Sequence, residues 1–229
     1  MIKVVLWDID GTLLNFEKAE EAGIRGCFAK LGLGECNDEM LKEYIRINRG
    51  YWERLERGEA KKEDILVDRF TEFLGVYGLD TSVAAEFNAL YQILLGDTVC
   101  FYENAMETVQ ELKGKVLQCA VTNGTKVAQD RKLRNSGLDR WFDHIFISEE
   151  VGIEKPNKGF FDMVFKEIGD YPLNEVVIVG DSLTSDIQGG VNAGIVTCWF
   201  NPEKKENTSK LTPEYEITQI SEVLEIVKK

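Results

Sequence analysis

An α/β architecture, a doubly wound parallel sheet (Rossmann-like) carrying an inserted helical module, is predicted by three observations. Short apolar runs rich in β-branched residues recur along the chain; helix-length amphipathic segments separate them from residue 104 onward; and the alternation is broken once, by four successive helical segments over residues 16–98. Alternating strands and helices imply parallel strands joined by crossover helices. An α/β core is expected over 1–15 and 104–229, with an inserted four-helix cap domain over 16–103.

Ile2 to Trp7 is apolar throughout except Lys3, and ends at Asp8-Ile9-Asp10-Gly11-Thr12, the pattern of a strand buried on both faces that stops at a turn. In the insertion, Leu41, Tyr44/Ile45, Tyr51/Trp52 and Leu55 fall on one helical stripe of 38–57, with Lys42, Glu43, Glu53 and Glu56 off it. Segment 61–74 repeats the pattern through Ile65, Phe70, Phe73 and Leu74. Neither an internal repeat nor a low-complexity linker interrupts the insertion, so it is expected to pack on the sheet domain and move as a lid. Beyond it, helices are expected at 104–113, 125–136, 157–168 and 184–192. Strands are expected at Leu117–Thr122, Ile145–Ile147, Val176–Gly180 and Ile195–Trp199.

Composition narrows the function. The 229 residues include 27 Lys+Arg against 40 Asp+Glu, a formal net charge of −13. With no Lys/Arg cluster longer than a short stretch such as Lys204-Lys205, nucleic acid polymers and anionic membranes are poor partners. The N-terminal apolar run is too short for a secretion signal, and no stretch approaches the roughly 20 apolar residues of a membrane span. A cytoplasmic protein is expected. Five scattered cysteines without a CxxC pair read as reduced, small apolar residues.

The chemistry concentrates at strand ends. Asp8 and Asp10, two residues apart on an extended backbone, share one side of the chain. They sit where open α/β sheets place ligands. Such a pair repels itself unless a cation sits beside it or one member holds a proton. Mg²⁺ bound by carboxylates satisfies the first condition and a general acid the second. His144, the only histidine, together with Trp7, Trp199 and the pair Glu149-Glu150, reads as structural or solvated.

Asp8-Ile9-Asp10-Gly11-Thr12-Leu13 resembles the first motif of the haloacid dehalogenase superfamily of phosphotransferases. The three further motifs of that family are matched in order: Thr122 in Ala120-Val121-Thr122-Asn123-Gly124, Lys155 in Glu154-Lys155-Pro156-Asn157, and Asp181 with Asp186 in Val179-Gly180-Asp181-Ser182-Leu183-Thr184-Ser185-Asp186. The resemblance implies that Asp8 is a nucleophile that becomes phosphorylated. It implies that Asp10 protonates the leaving oxygen and then activates water, while its backbone carbonyl ligates the metal. Thr122 would donate to the phosphoryl group, Lys155 would supply positive charge, and Asp8, Asp10, Asp181 and Asp186 would form the Mg²⁺ site. Asp186 also has a plainer reading, an acid favoured by the dipole in the first turn of the next helix. Asn123 and Gly124 are expected to offer backbone N–H groups to phosphate.

Asp10 argues against the dehalogenases, which lack that acid, and against the ion pumps, which carry Thr there. The all-helical insertion resembles the cap of the subfamily acting on small phosphomonoesters. The segments Ile147–Lys158, Gly180–Gly190 and Asn192–Trp199 resemble bacterial pyrimidine 5′-nucleotidases, so a free nucleotide is the expected substrate. Asn48, Arg49 and Trp52 are the cap candidates for its base or ribose, with Tyr44 and Tyr51 as further flat faces; the stripe shared by Tyr44, Tyr51 and Trp52 is also what a cap's own core would show. A phosphatase of another metabolite such as phosphoglycolate or a sugar phosphate, a phosphomutase, and a non-enzymatic binding protein on the same fold are the alternatives.

Overall fold

The structure is a computed structural model that describes all 229 residues. The chain divides into two compact units, one of Met1–Phe16 with Val99–Lys229 and the other of Glu17–Thr98.

In the first unit six strands form one parallel sheet: β1 (Val4–Trp7), β2 (Leu117–Thr122), β3 (His144–Ile147), β4 (Val176–Gly180), β5 (Val196–Phe200) and β6 (Tyr215–Ile217), in the order β3-β2-β1-β4-β5-β6. The chain winds outward from β1 to β3, then crosses back to add β4 on the other side of β1. That reversal is the switch point at which doubly wound sheets leave a crevice beyond their strand ends. Every residue of β1 is buried because both faces are covered. Val5 and Trp7 pack with Val109, Leu133, Val177 and Val179, whereas Val4 and Leu6 pack with Cys119, Val121, Phe160 and Ile178. The Trp7 indole N–H donates to Gln118 Oε1 at 3.0 Å, and Gln118 Nε2 donates to the Val109 carbonyl at 2.9 Å, so the polar atoms beneath the sheet are paired.

The flanking helices are α5 (Ala105–Leu112), α6 (Lys126–Ser136), the single turn α7 (Ser148–Val151), α8 (Lys158–Ile168), α9 (Gln188–Ala193) and α10 (Val223–Lys228). Residues Leu183–Ile187 form a π-helical turn before α9 rather than the start of a regular helix. The strand β6 and helix α10 are additions to the sequence reading. With three residues, one of them an exposed glutamate, β6 is too short and too polar to register as an apolar run. Its place at the sheet edge explains both features.

In the second unit, α1 (Phe16–Leu31) leads into α2 (Asp38–Glu56), α3 (Lys62–Val76) and α4 (Ala84–Asp97). Asn37 caps α2, its Oδ1 accepting the Met40 N–H at 2.9 Å. The interior is aromatic: Tyr44 stacks on Phe70 with centroids 5.4 Å apart, and Phe28, Phe73, Phe87 and Tyr91 complete the cluster. A buried polar chain runs beside it. Arg69 Nη1 donates to Asn48 Oδ1 at 2.7 Å, and Asn48 Nδ2 donates to Glu20 Oε1 at 2.7 Å. Burial pushes the Glu20 carboxyl up to about 7, against the Asn48 hydrogen bond and the Arg69 charge, which pull it down.

A carboxyl whose folded-state pKa is raised stabilises the fold fully below its unfolded value and loses that contribution as pH rises through the folded value. Between about pH 4.5 and 7 this group alone should lower stability by roughly 3 kcal/mol, at 1.36 kcal/mol per unit. Urea unfolding at pH 5 and pH 8 should therefore show a smaller loss for Glu20→Gln than for the wild type.

Candidate active site

The site begins where β1 ends. Because β1 lies between β2 and β4, the residues following the three strands, Asp8, Asn123 and Asp181, come out side by side, with Thr122 closing β2. The chain after Asp8 then turns sharply: Leu13 and Leu14 N–H groups donate to the Ile9 carbonyl at 3.1 and 2.9 Å, and Gly11 N–H donates to the Leu14 carbonyl at 2.8 Å. Gly11 has φ of +91°, and a Cβ there would stand 2.5 Å from Asp181 Oδ2. Only glycine fits both the backbone angle and the approach of that carboxylate.

Lys155 is the centre of the arrangement. It is buried, and its Nζ donates to Asp8 Oδ1 at 2.9 Å, Asp186 Oδ1 at 2.6 Å and the Val121 carbonyl at 2.8 Å. All three ammonium protons are used. Burial works against the charge, but Asp186 and Asp8 outweigh it and push the Lys155 pKa up. Its backbone is fixed by Asn123, whose Oδ1 accepts the Lys155 N–H at 2.9 Å and whose Nδ2 donates to the Lys155 carbonyl at 2.8 Å. The Lys155–Pro156 peptide is cis.

Asp186 occupies the π-helical turn and is buried, its second oxygen accepting the Ser182 N–H at 3.1 Å. It is thus the counter-ion of Lys155 rather than a solvated helix-start acid. A Cβ on Gly180 would fall 2.2 Å from the Asp186 carboxylate, so the strand must end in glycine for the carboxylate to reach Lys155. Thr12, which the sequence reading passed over within the motif, links the two remaining acids. Its Oγ1 donates to Asp8 Oδ2 at 3.1 Å and accepts the Asp181 N–H at 3.1 Å. The indole N–H of Trp199, expected to be simple core, donates to the Asp181 carbonyl at 2.9 Å.

Carboxylate oxygens of Asp8, Asp181 and Asp186 lie within 4.8 Å of one another. One lysine faces three acids. Burial, opposed by Lys155 and reinforced by Asp186, holds the Asp8 carboxyl at about 7. Asp181 reaches solvent, yet the protein packed around its carboxyl, with the charges of Asp8 and Asp186 and against that of Lys155, pushes its pKa up. A divalent cation relieves this excess, and an all-oxygen donor set suits a hard one.

The Asp10 carboxylate lies outside that cluster. It accepts from Gln129 Nε2 at 2.5 Å and from Lys132 Nζ, two residues of α6 that the sequence reading did not single out. Thr122 Oγ1 accepts the Gly124 N–H at 3.0 Å and keeps its own proton to donate. This corrects the expectation for Gly124, whose N–H is turned onto Thr122 rather than offered outward. The Asn123 side chain is a clamp on Lys155, a role separate from the one expected of its backbone N–H. In the helical unit Asn48 is buried with its amide committed to Glu20 and Arg69, and Tyr44 is fully interior, so neither is a free contact. Tyr51 is half-buried with its hydroxyl on Glu72, Arg49 is exposed, and Trp52 is half-buried. His144 opens β3 and stacks on Phe146, in keeping with a structural role.

A family model for haloacid dehalogenase-like hydrolases matches residues 2–194. The HAD-hydrolase YfnB of Bacillus subtilis is 35% identical over 225 residues, covering 98% of this chain and 95% of its own. Its magnesium-bound crystal structure superposes with a TM-score of 0.93 at 33% identity, covering 100% of this chain and 99% of that one. The pyrimidine 5′-nucleotidase PynA of Streptococcus pneumoniae is 31% identical over 99% of this chain and 95% of its own. The pyrimidine 5′-nucleotidase YjjG of Escherichia coli is 26% identical over 98% and 97%.

Replacing Lys155 with Met should cost about 3–5 kcal/mol of stability, because it leaves two buried carboxylates without their cation. Removing one of those charges as well, in Lys155→Met/Asp186→Asn, should restore part of the loss in urea unfolding.

Proposed function

The chain belongs to the haloacid dehalogenase-like hydrolases, and from that premise we propose that it is a Mg²⁺-dependent phosphatase of nucleoside 5′-monophosphates, working through an aspartyl-phosphate on Asp8. The observation that carries the chemistry is the Asp8–Asp181–Asp186 cluster, whose charge Lys155 offsets only in part. The pyrimidine nucleotide reading is supported by the two nucleotidases aligned along almost the whole chain.

Asp8, Asp181 and the Asp10 backbone carbonyl would hold the metal, with Asp186 joining them or acting through Lys155. When bound, Mg²⁺ supplies charge that neutralises phosphoryl oxygens and keeps Asp8 ionised. An oxygen of Asp8 attacks phosphorus and the ester P–O bond breaks, while Asp10 gives its proton to the departing alkoxide. Water then attacks the phosphorus of the phosphoenzyme, Asp10 takes a proton from that water, and the bond between the Asp8 oxygen and phosphorus breaks to release phosphate. Thr122 O–H and the Lys155 ammonium stabilise the charge on the phosphoryl group.

Asp8→Asn should abolish turnover with the fold unchanged by circular dichroism, and exhaustive chelation should silence the wild type until Mg²⁺ is restored. Phosphate release across a panel of dUMP, UMP, dTMP, sugar phosphates and phosphoglycolate tests the substrate. A higher kcat/KM for the pyrimidine nucleotides is expected, and the reverse ranking overturns the nucleotidase reading alone.

A further inference from the structure

The carboxylate assigned above to acid–base work is gripped by two buried side chains from one helix. Gln129 and Lys132 stand three residues apart on α6 and so share a face. Gln129 Nε2 donates to Asp10 Oδ2 and Lys132 Nζ to Asp10 Oδ1, so each oxygen of the carboxylate has its own donor. Both donors are buried, at 0% and 1% exposure, while Asp10 stays partly open. A buried ammonium is expensive unless paired. Lys132 gains Asp10 on one side and the Phe16 ring, 5.3 Å from its Nζ, on the other.

The approach of Gln129 has a backbone condition. A Cβ at residue 124 would lie 2.1 Å from Gln129 Nε2, so the amide reaches Asp10 by passing over a glycine. The Asn-Gly pair after β2 therefore reads as clearance for this side chain. Thr125 caps α6 through its Oγ1 and the Ala128 N–H, which fixes the helix start relative to that clearance.

We propose that Gln129 and Lys132 are positioning residues for Asp10, fixing its rotamer so that the carboxyl passes its proton in one direction. Each carboxylate oxygen has two acceptor positions, and the clamp occupies one on each, leaving the others for the proton that is handed over and taken back. A free aspartate would rotate among several orientations, only some of them productive. The inference rests on the acid–base role of Asp10, and it predicts a selective defect. Steps that need proton delivery suffer, while substrate binding and attack by Asp8 do not.

The test uses two leaving groups. p-Nitrophenolate departs without a proton and an alkoxide does not, and kcat/KM reports only the steps through phosphoryl transfer. For Lys132→Met and, separately, the charge-neutral change Gln129→Met, kcat/KM for the aliphatic phosphomonoester best used in the panel should fall about 10–100-fold, with less than about 3-fold change on p-nitrophenyl phosphate. Because Gln129→Met leaves every buried charge in place, it carries the test even where Lys132→Met folds poorly. Combined with Asp10→Asn, either change should add no further leaving-group-dependent loss. Equal losses on both substrates, a rise in KM alone, or full additivity with Asp10→Asn would show a merely structural pair and overturn the proposal. An Asp10→Asn enzyme that treats both leaving groups like the wild type overturns the acid–base role itself, whereas a normal Asp10→Asn defect beside wild-type-like Gln129 and Lys132 variants overturns the clamp alone.

Discussion

One buried ammonium holds the site together. Lys155 Nζ touches the end of β1 through Asp8, the β2 backbone through the Val121 carbonyl, and the turn after β4 through Asp186. Three adjacent strands thus meet at a single cation, and the loop that carries it is locked to β2 by the two hydrogen bonds of Asn123. In so little water neither the lysine nor its acids would be tolerable alone. Together they leave an excess of negative charge, which is the setting a divalent cation would relieve.

Close approach is the second constraint. Gly11 and Gly180 stand where a methyl group would collide with Asp181 and Asp186, so both glycines serve the carboxylates, Gly11 in addition to the turn its φ of +91° requires. Thr12 works similarly through its hydroxyl, which spans from Asp8 to the Asp181 backbone. The result is a wall of oxygens assembled from residues far apart in sequence, each oriented by hydrogen bonds within the protein.

Asp8 and Asp10 show how two like side chains two residues apart acquire different settings. Asp8 is buried among charges, with its carboxyl pushed up to about 7 and steadied by Lys155 and Thr12. Asp10 is partly open and held by α6. One short motif thus places its two carboxylates in separate environments, one inside the acidic cluster and one held by a flanking helix.

Much of this was legible in the chain. Buried strands are continuous apolar runs because both faces are covered, and β1, β2 and β4 end at the residues where those runs stop; the order and spacing of Asp8, Thr122, Lys155 and Asp181 made the family readable. The helical insertion was equally plain from its stripes. By itself, then, the sequence determined the fold class, the family and the oxygen-rich chemistry, since periodicity and short motifs are local properties. Tertiary structure decided everything that depends on which side chains meet. Asn123 and Lys155 are 32 residues apart, and Lys132 and Asp10 are 122 apart. On α6, Gln129 and Lys132 look like any polar helix face, and in α2 Asn48 shares the stripe of Tyr44 without revealing that both are interior. Burial and partnership are set by packing across the fold, and a polar residue has the same letter whether it faces water, a substrate or a buried carboxylate.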